Sequence, residues 1–282
     1  MSSILTNSSA MVALQTLKSV NSSLAKTQEA ISTGKSIGSA KDNSAIWAIS
    51  KTMDSDVRGF KAISDALSLG ESTVAVASAA AEQVVSVLQE IKGLVVSAQS
   101  ENVDHAKIQA DIDERAAQVA SIVGAAQFNG ANLLAADVDG NGATSVSILS
   151  SLDRVGTAAP TASTIDVDTA DFETDVDLVA DLTAITDTTT AATALGEIET
   201  FLQTAIDGAA ALGASAGRIS SQNEFVGKLT DAMVSGIGSL VDADMEEASA
   251  RLQALQVQQQ LATQSLSIAN QGPQNILSLF RG

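Results

Sequence analysis

The side chains that could do chemistry are few in this chain of 282 residues. His105 is the only histidine and there is no cysteine, so neither a zinc site of the usual ligands nor a nucleophile–base pair can be assembled. The run Gly34-Lys35-Ser36 resembles the end of a phosphate-binding loop, but that motif needs a glycine where this chain has Glu29. We interpret the run as a helix cap and linker, and the sequence predicts no enzyme activity, catalytic residue or cofactor.

Carboxylates are the one reactive group in excess, because 33 Asp and Glu stand against 15 Lys and Arg. The net charge of −18 argues against partners such as nucleic acid or anionic membranes. The run from Asp137 to Gly142 resembles the opening of a calcium loop, but its twelfth position is Ile148 and not a bidentate glutamate. A glycine-rich hairpin turn is the favoured interpretation, with a weak ion site as the alternative, and the sequence predicts no metal ligand set.

Membrane and export signals of the common kinds are not evident in the sequence. The N-terminus lacks a basic region followed by a continuous apolar region, which argues against a cleaved secretory signal. No stretch has eighteen apolar residues in a row, so membrane insertion is not expected. The chain is therefore predicted to stay in the cytoplasm or to leave by a route that reads another signal.

A seam of apolar residues in steps of three and four runs from Ile46 to Val95, and only Asp56 and Gly70 fail to fill it. Such a repeat predicts a helix in a left-handed coiled coil, and as one helix it would span ~75 Å. Shorter seams at 105–126 and 195–240 offer partners. The predicted fold is mainly α, an elongated antiparallel helical bundle with a terminal coiled coil. The predicted core residues of the bundle are Ile49, Met53, Phe60, Ile63, Leu67, Leu88, Ile91, Leu202, Leu212 and Ile219.

The two chain ends also read as helices. The last one has no charge between Arg251 and Arg281 and is apolar on two sides, so it needs burial on more than one face. The sparsely charged helix at 4–33 cannot cover it alone, which predicts polymerisation. The predicted self-assembly residues of the inner coiled coil are Leu14, Leu17, Leu24, Ile31, Leu252, Leu255, Leu261, Leu266 and Ile268.

The segment 135–194 differs in composition, with eleven acids and one base, Arg154. Apolar and polar residues alternate in two places, which predicts a small β-hairpin in a solvated outer segment. The alternating residues are Val146 and Ile148, then Ile165 and Val167. The predicted segments are the two halves of the inner coiled-coil domain (1–34 and 241–282), a linker (35–44), the rod-domain helices (45–134 and 195–240) and this outer segment (135–194).

Several motifs resemble those of bacterial flagellins. They cover residues 1–134 and 195–282 in the family's order. The motifs are SAKDNSAIWAISKTM (Ser39 to Met53), FNG with the following Leu133-Leu134, LGASAGRISSQ (Leu212 to Gln222), DADMEE (Asp242 to Glu247) and ANQGPQNILSLF (Ala269 to Phe280).

The resemblance implies a secreted structural subunit that polymerises into the extracellular flagellar filament. It implies as partners further copies of the chain, sibling flagellins, an export chaperone and the flagellar type III export apparatus, and the filament cap and hook-junction proteins. Export by that route fits the missing signal peptide and the missing cysteines. Two alternatives stay open at this point: a hook–filament junction protein, and a cytoplasmic signalling coiled coil.

One family motif departs from its usual form. The contact of flagellins with an innate-immune receptor is centred on a Leu-Gln-Arg-Ile-Arg-Glu-Leu run, and this chain has Leu88-Gln89-Glu90-Ile91-Lys92-Gly93-Leu94. Glu90 reverses the charge of the first Arg, and Gly93 stands where the motif has Glu. Because a reversed charge at an ion-pairing contact costs affinity, weak or absent receptor stimulation is expected.

Overall fold

The computed structural model describes residues 7–154 and 159–279, with side-chain environments as far as residue 271. Most of these residues are helical, and the middle of the chain carries short antiparallel strands, which confirms the predicted fold class. The elements are α1 (Ser8–Thr33), α2 (Ser44–Ser97), α3 (His105–Ala125), β1 (Gln127–Phe128), β2 (Ala131–Asn132), β3 (Ser145–Asp153), β4 (Thr161–Asp168), α4 (Phe172–Asp175), α5 (Leu178–Asp181), α6 (Thr188–Val241) and α7 (Met245–Leu279).

The chain divides into two compact units. The terminal unit comprises Met1–Ser55 and Ala232–Gly282, and the central unit comprises Asp56–Asp231. Residues of α2 and α6 therefore contribute to both units.

Polar caps set the helix boundaries. Asn43 Oδ1 accepts hydrogen bonds of 3.2 Å from the N–H groups of Ala45 and Ile46 and caps the start of α2. Asp187 Oδ1 accepts from the Thr190 N–H at 2.8 Å, so α6 begins seven residues before the predicted Leu195. The Thr-rich run at 186–194 therefore contains the capped start of α6.

The central unit is built on α2 and α6, which run antiparallel. Ser64 Oγ donates a 2.7 Å hydrogen bond to Asn223 Oδ1, and further along Lys92 pairs with Glu199. The predicted core residues of this unit are all buried: Phe60, Ile63, Leu67, Leu88, Ile91, Leu202, Leu212 and Ile219. Helix α3 adds a stripe of its own, with Ile112, Ala116, Val119 and Val123 buried.

Ile49 is a correction to the predicted core, because its side chain is 54% exposed. The predicted seam ran through Ile49 and Asp56 in steps of four, three and four. The inward-facing residues instead follow steps of three, four and three, through Phe60, Val57, Met53 and Ser50. Asp56 stays at the edge, where Arg154 Nη2 lies 2.6 Å from its Oδ1, because a carboxylate is costly to bury in an apolar seam.

The prediction for residues 135–194, called the middle segment below, is also corrected. Its hairpin exists as predicted, with Ile148 opposite Ile165 and Val146 opposite Val167, but it is not a solvated outer layer. Its apolar side chains are part of the core of the central unit. Those that are buried include Val138, Ile148, Ile165, Val167, Phe172, Val176, Leu178 and Ile185.

Glycines in the long helices provide the space that this segment needs. A Cβ added at Gly70 would lie 2.8 Å from Ile148 Cγ1 and 2.9 Å from its Cγ2. One added at Gly208 of α6 would lie 2.6 Å from Cε1 of the Phe172 ring. The gap that Gly70 leaves in the predicted seam is therefore filled from outside the helix, by a side chain of β3.

A tight turn joins β1 and β2, as the Asn-Gly pair predicts. Asn129 has φ 52° and Gly130 has φ 84°, the left-handed values that a two-residue hairpin of this type requires. The turn lets Asn132 fold back, where its Nδ2 donates to the Val123 carbonyl at 2.8 Å and satisfies the end of α3.

Helix α2 is the one helix among the described residues that is long and apolar enough, by composition, to cross a membrane. Within the central unit its largest apolar side chains, such as Ile63, Leu67 and Ile91, are fully buried against protein. The composition of α2 is thus accounted for by its place in the core.

We predict that Gly70→Ala lowers the thermal stability of the protein. Helix propensity alone would stabilise the variant by about 0.5–1 kcal/mol, but the overpacking against Ile148 should cost roughly 1–3 kcal/mol. The matched control is Gly213→Ala on α6, where nothing lies within 4 Å of the added methyl group. Thermal unfolding followed by circular dichroism should show a lower Tm for Gly70→Ala and an equal or higher Tm for Gly213→Ala. A higher Tm in both variants would contradict the packing described here.

Candidate self-association surface

Helices α1 and α7 of the terminal unit pack side by side and run antiparallel. Asn7 Nδ2 donates to the Ala269 carbonyl at 2.9 Å, and Gln259 Nε2 donates to Asn21 Oδ1 at 2.8 Å. The Ser36 N–H donates to the Val241 carbonyl at 2.8 Å at the other end of the pair. Residues further along α1 and its linker therefore pair with residues earlier in the C-terminal part of the chain, so α1 and α7 form an antiparallel helical hairpin.

One stripe of α7 faces α1. Leu255 and Ala262 are buried, and Leu252 and Leu266 are half-buried. On α1 the half-buried side chains include Leu17, Leu24 and Ile31. These are most of the predicted self-assembly residues, and within one chain they pack against one another.

A second stripe of α7 lies open. Val257, Leu261 and Ile268 are 55%, 56% and 69% exposed. At 100° per residue this open stripe lies on the face opposite Leu255 and Ala262. We call it the open α7 stripe, and it includes two of the predicted residues that α1 does not cover.

The open apolar residues of α1 are near its beginning. Met11 and Val12 are 65% and 63% exposed, and the predicted Leu14 is 44% exposed. The sequence before Lys18 carries no charged side chain. Together with the open α7 stripe, these residues are six large apolar side chains of α1 and α7 that are more than 40% exposed.

The linker between α1 and α2 is organised by Asp42. Its Oδ2 accepts hydrogen bonds from the Ser39 N–H at 3.1 Å and from Ser39 Oγ at 3.0 Å, and Lys26 Nζ lies 3.4 Å from its Oδ1. The backbone and hydroxyl hydrogen bonds from Ser39, supported by Lys26, outweigh desolvation and lower the pKa of Asp42. The role of Asp42 was not predicted from the sequence, although the spacing Ser-x-x-Asp from Ser39 to Asp42 is typical of such a turn.

Backbone contacts join the same linker to the start of α7. The Ala243 N–H donates to the Gly34 carbonyl at 2.9 Å, and Lys35 and Asp242 form an isolated β-bridge. Gly34 ends α1 with φ 72°, the left-handed value that its predicted cap role requires. The run Gly34-Lys35-Ser36 thus closes the α1–α7 hairpin, as the cap-and-linker interpretation expected.

The acidic loop near Asp137 directs its carboxylate at its own backbone. Asp137 Oδ2 accepts from the Gly142 N–H at 2.6 Å, and Oδ1 accepts from the N–H groups of Asp139 and Gly140. Desolvation alone would raise the pKa of Asp137, but these hydrogen bonds outweigh it and lower the pKa. Across residues 7–154 and 159–279, no group of three or more His, Asp or Glu side chains is arranged to hold a metal ion.

His105 occupies a structural position. It is half-buried at the start of α3, and its Nε2 lies 2.9 Å from the Ala98 carbonyl at the end of α2. The ring therefore helps to satisfy the end of α2.

The degenerate receptor motif lies on α2 in the central unit. Glu90 pairs with Arg115 of α3, and Lys92 pairs with Glu199 of α6. Leu94 is half-buried, and nothing lies within 4 Å of a Cβ added at Gly93. Both charges of the motif are engaged within the chain.

Family models identify the class of protein to which this chain belongs. Family models for the bacterial flagellin N-terminal helical region and the bacterial flagellin C-terminal helical region match residues 4–139 and 195–280. The matched class is that of non-enzymatic structural proteins built from helical chain ends. The chain belongs to the bacterial flagellin family and is a structural subunit of the extracellular flagellar filament.

Individual relatives agree over the whole chain. A flagellin of Brucella melitensis is 43% identical over 288 residues, with all of both chains covered. Flagellin FljM of Caulobacter vibrioides is 41% identical over all of this chain and 99% of its own. A crystal structure of Bacillus cereus flagellin gives a TM-score of 0.48 at 18% identity, over 58% of this chain and 88% of that one. Full-length agreement with flagellins removes the grounds for the junction-protein and signalling alternatives.

We predict that acid destabilises the protein partly through Asp42. A carboxylate whose pKa is lowered by folding stabilises the folded state above its unfolded pKa, and that contribution is lost as the pH falls through the lowered pKa. Asp42→Asn should therefore lower the Tm at neutral pH and show a smaller fall in Tm between about pH 6 and about pH 3 than the wild type.

The control for this experiment is Glu29→Gln in the same unit, whose carboxylate has no hydrogen bond or ion pair to the described residues. Thermal unfolding followed by circular dichroism should show the wild-type pH dependence in this control. Identical pH dependence of Asp42→Asn and the wild type would contradict the role of Asp42.

Proposed function

We propose that neighbouring subunits cover the open α7 stripe when the filament assembles. The observation that supports this is the pair of opposite apolar faces on α7, of which α1 covers one and leaves Leu261 and Ile268 more than half exposed. The part of α7 after Arg251 has no charged side chain, and a helix with two apolar faces needs burial on both. Further copies of the same chain are the occupant, because the protein is a filament subunit.

The face of α7 that packs against α1 has a different role. Leu252, Leu255 and Leu266 join the two chain ends within a subunit, with Leu17, Leu24 and Ile31 opposite. The predicted inner coiled coil thus divides into residues that hold the hairpin together and residues that contact other subunits. Leu14, Leu261 and Ile268 belong to the second group.

The expected effect on filament assembly follows from the free energy of burying these apolar side chains. Fully burying an apolar side chain of this size contributes about 1.5–3 kcal/mol. Leu261 and Ile268 are already partly covered within the subunit, with 56% and 69% of their side chains exposed. Removing both should therefore weaken each added subunit by about 2–4 kcal/mol, which raises the critical concentration at least about thirtyfold.

We predict that Leu261→Ser combined with Ile268→Ser prevents filament growth without unfolding the subunit. Electron microscopy of seeded protein should show no elongation at concentrations where the wild type elongates, while far-ultraviolet circular dichroism is unchanged. Gln256→Ser, also exposed on α7 but about 120° from the open stripe, should elongate normally. Leu255→Ser should instead lower the Tm of the monomer. Normal elongation of the double variant would rule out the proposed surface.

We also propose the partners that the family resemblance implies: an export chaperone, the type III export apparatus, the filament cap, the hook-junction proteins and sibling flagellins. An open apolar stripe is consistent with a chaperone, since it needs cover before assembly. A pull-down of chaperone candidates with the Leu261/Ile268 double variant, compared with Gln256→Ser, would test whether the same stripe serves both. Equal capture by both variants would place the chaperone site elsewhere.

We propose, finally, that this subunit stimulates the innate-immune receptor weakly or not at all. Glu90 has the wrong charge, and its ion pair with Arg115 holds it on the α2–α3 side of the central unit. We predict that Glu90→Arg combined with Gly93→Glu increases the response of receptor-expressing reporter cells at least about tenfold, which corresponds to about 1.4 kcal/mol. The control is Glu82→Arg, an exposed acid on the same helix. Full potency of the wild-type protein would refute the proposal.

A further inference from the structure

A polar residue sits in the apolar seam of the central unit. Asn223 lies between Ile219 and Val226, which are buried, and it makes two hydrogen bonds to α2. Its Oδ1 accepts from Ser64 Oγ at 2.7 Å, and its Nδ2 donates to Ser68 Oγ at 3.2 Å. A polar group in such a seam fixes which residues face each other, because any other alignment loses its hydrogen bonds.

The serines on α2 continue beyond the two that Asn223 uses. Ser64, Ser68 and Ser72 are spaced four residues apart, and each of the last two donates to the carbonyl one turn earlier at 2.8 Å. We call these three residues the serine ladder. If α6 moved along α2 by one turn, Asn223 would meet Ser68 and Ser72 in the same way.

The apolar contacts of the seam permit that second alignment in principle. A step of three or four residues returns apolar positions to the seam, and several of those positions hold small side chains, such as Ala77, Ala81 and Ala205. Helices in proteins do move past one another by one turn between two packed states. The seam and the ladder therefore do not by themselves specify one register.

The middle segment contacts both helices and removes this ambiguity. On α2, Ile148 occupies the space at Gly70, and a Cβ at Gly59 would lie 2.6 Å from Leu152 Cδ1. On the same side Arg154 is hydrogen-bonded to Asp56.

The contacts of the middle segment with α6 are separate from those. Gln222 Nε2 donates to the Ser150 carbonyl at 2.9 Å, next to Asn223 in the sequence. The Phe172 ring occupies the space at Gly208. A shift of α6 by one turn would break the contacts with one helix or the other, because the glycine spaces occur at single positions.

We propose that the middle segment is a register lock that holds α6 on the first two rungs of the serine ladder. This role is independent of the proposed assembly surface, which lies in the terminal unit. A filament repeats the same contacts in every subunit, so all copies need one register. The hairpin thus serves to make the subunits identical, in addition to burying its own apolar residues.

The experiment uses the absence of cysteine from the natural chain. Spin labels on Ser86→Cys of α2 and Ser220→Cys of α6, both exposed, report the distance between two points offset along the seam. In the full-length chain, kept below its polymerising concentration, pulsed electron paramagnetic resonance should give a single distance. The shifted register would shorten that distance by about 6 Å, or four residues at 1.5 Å each.

Two variants release the lock in different ways. Ile148→Ala with Leu152→Ala and Arg154→Ala removes the side-chain contacts to α2. Phe172→Ala with Gln222→Ala removes the contacts to α6. Each should produce a second, shorter distance in roughly a tenth or more of the molecules. Adding Ser72→Ala should then abolish the population with the shorter distance, because Asn223 in the shifted register loses its hydrogen bond to Ser72. Adding Ser64→Ala should increase that population, because Asn223 in the native register loses its hydrogen bond to Ser64.

Two controls separate the lock from general destabilisation. Ile91→Ala removes a buried side chain of the same seam and should leave a single distance. Labels on Ala62→Cys and Ser86→Cys, both on α2, should give one distance in every background. A single unchanged distance in both released variants would overturn the proposal, because the seam alone would then specify the register. Loss of helical circular dichroism in both would also overturn it, since a seam that cannot form without the hairpin has no second register.

Discussion

The burial of narrow apolar stripes between long helices is the interaction on which the rest of this structure depends. A chain with 2% aromatic residues and abundant alanine cannot form a thick core, so each helix must be covered along its length by another element. In the central unit α2 is covered by α6, α3 and the hairpin of the middle segment. In the terminal unit α1 covers only one of the two apolar faces of α7, and the other face is exposed within the subunit.

Small residues decide how closely these elements approach. Gly70 and Gly208 lie in helices, where glycine is unfavourable by about 1 kcal/mol relative to alanine. The closeness of Ile148 and Phe172 to these positions explains why larger residues do not occupy them. The hairpin is consequently inserted into the helical layer, and the acids of the middle segment lie on its outer side, with Asp166 hydrogen-bonded to Ser147 at the surface.

Polar groups contribute selectivity more than net stability. Asn21 with Gln259, and Asn223 with two serines, satisfy each other between helices that would otherwise match at several alignments. The ion pairs of Glu90 and Lys92 are on exposed side chains, where such pairs contribute little. They nevertheless engage both charged residues of the degenerate receptor motif within the chain.

The sequence alone determined the helices, because the period of apolar residues and the capping side chains are local. The ends of α1, α2 and α3 were predicted within a few residues, and the alternation at Val146 and Ile148 and at Ile165 and Val167 indicated the two strands of the hairpin. The motifs at both chain ends were sufficient for the family. The burial of a side chain was less predictable where its neighbours come from a distant part of the chain.

Only the tertiary structure decided the positions of Ile49, of the middle segment and of the open α7 stripe. A heptad pattern does not show that Val57 replaces Asp56 in the seam, because the reason is an ion pair with Arg154, 98 residues away. The many acids of residues 135–194 suggested a solvated segment. Composition does not show that apolar residues between those acids, Ile148 and Phe172, pack against Gly70 and Gly208. For α7, the sequence identified two apolar stripes, and the packing of α1 selected the one that stays open.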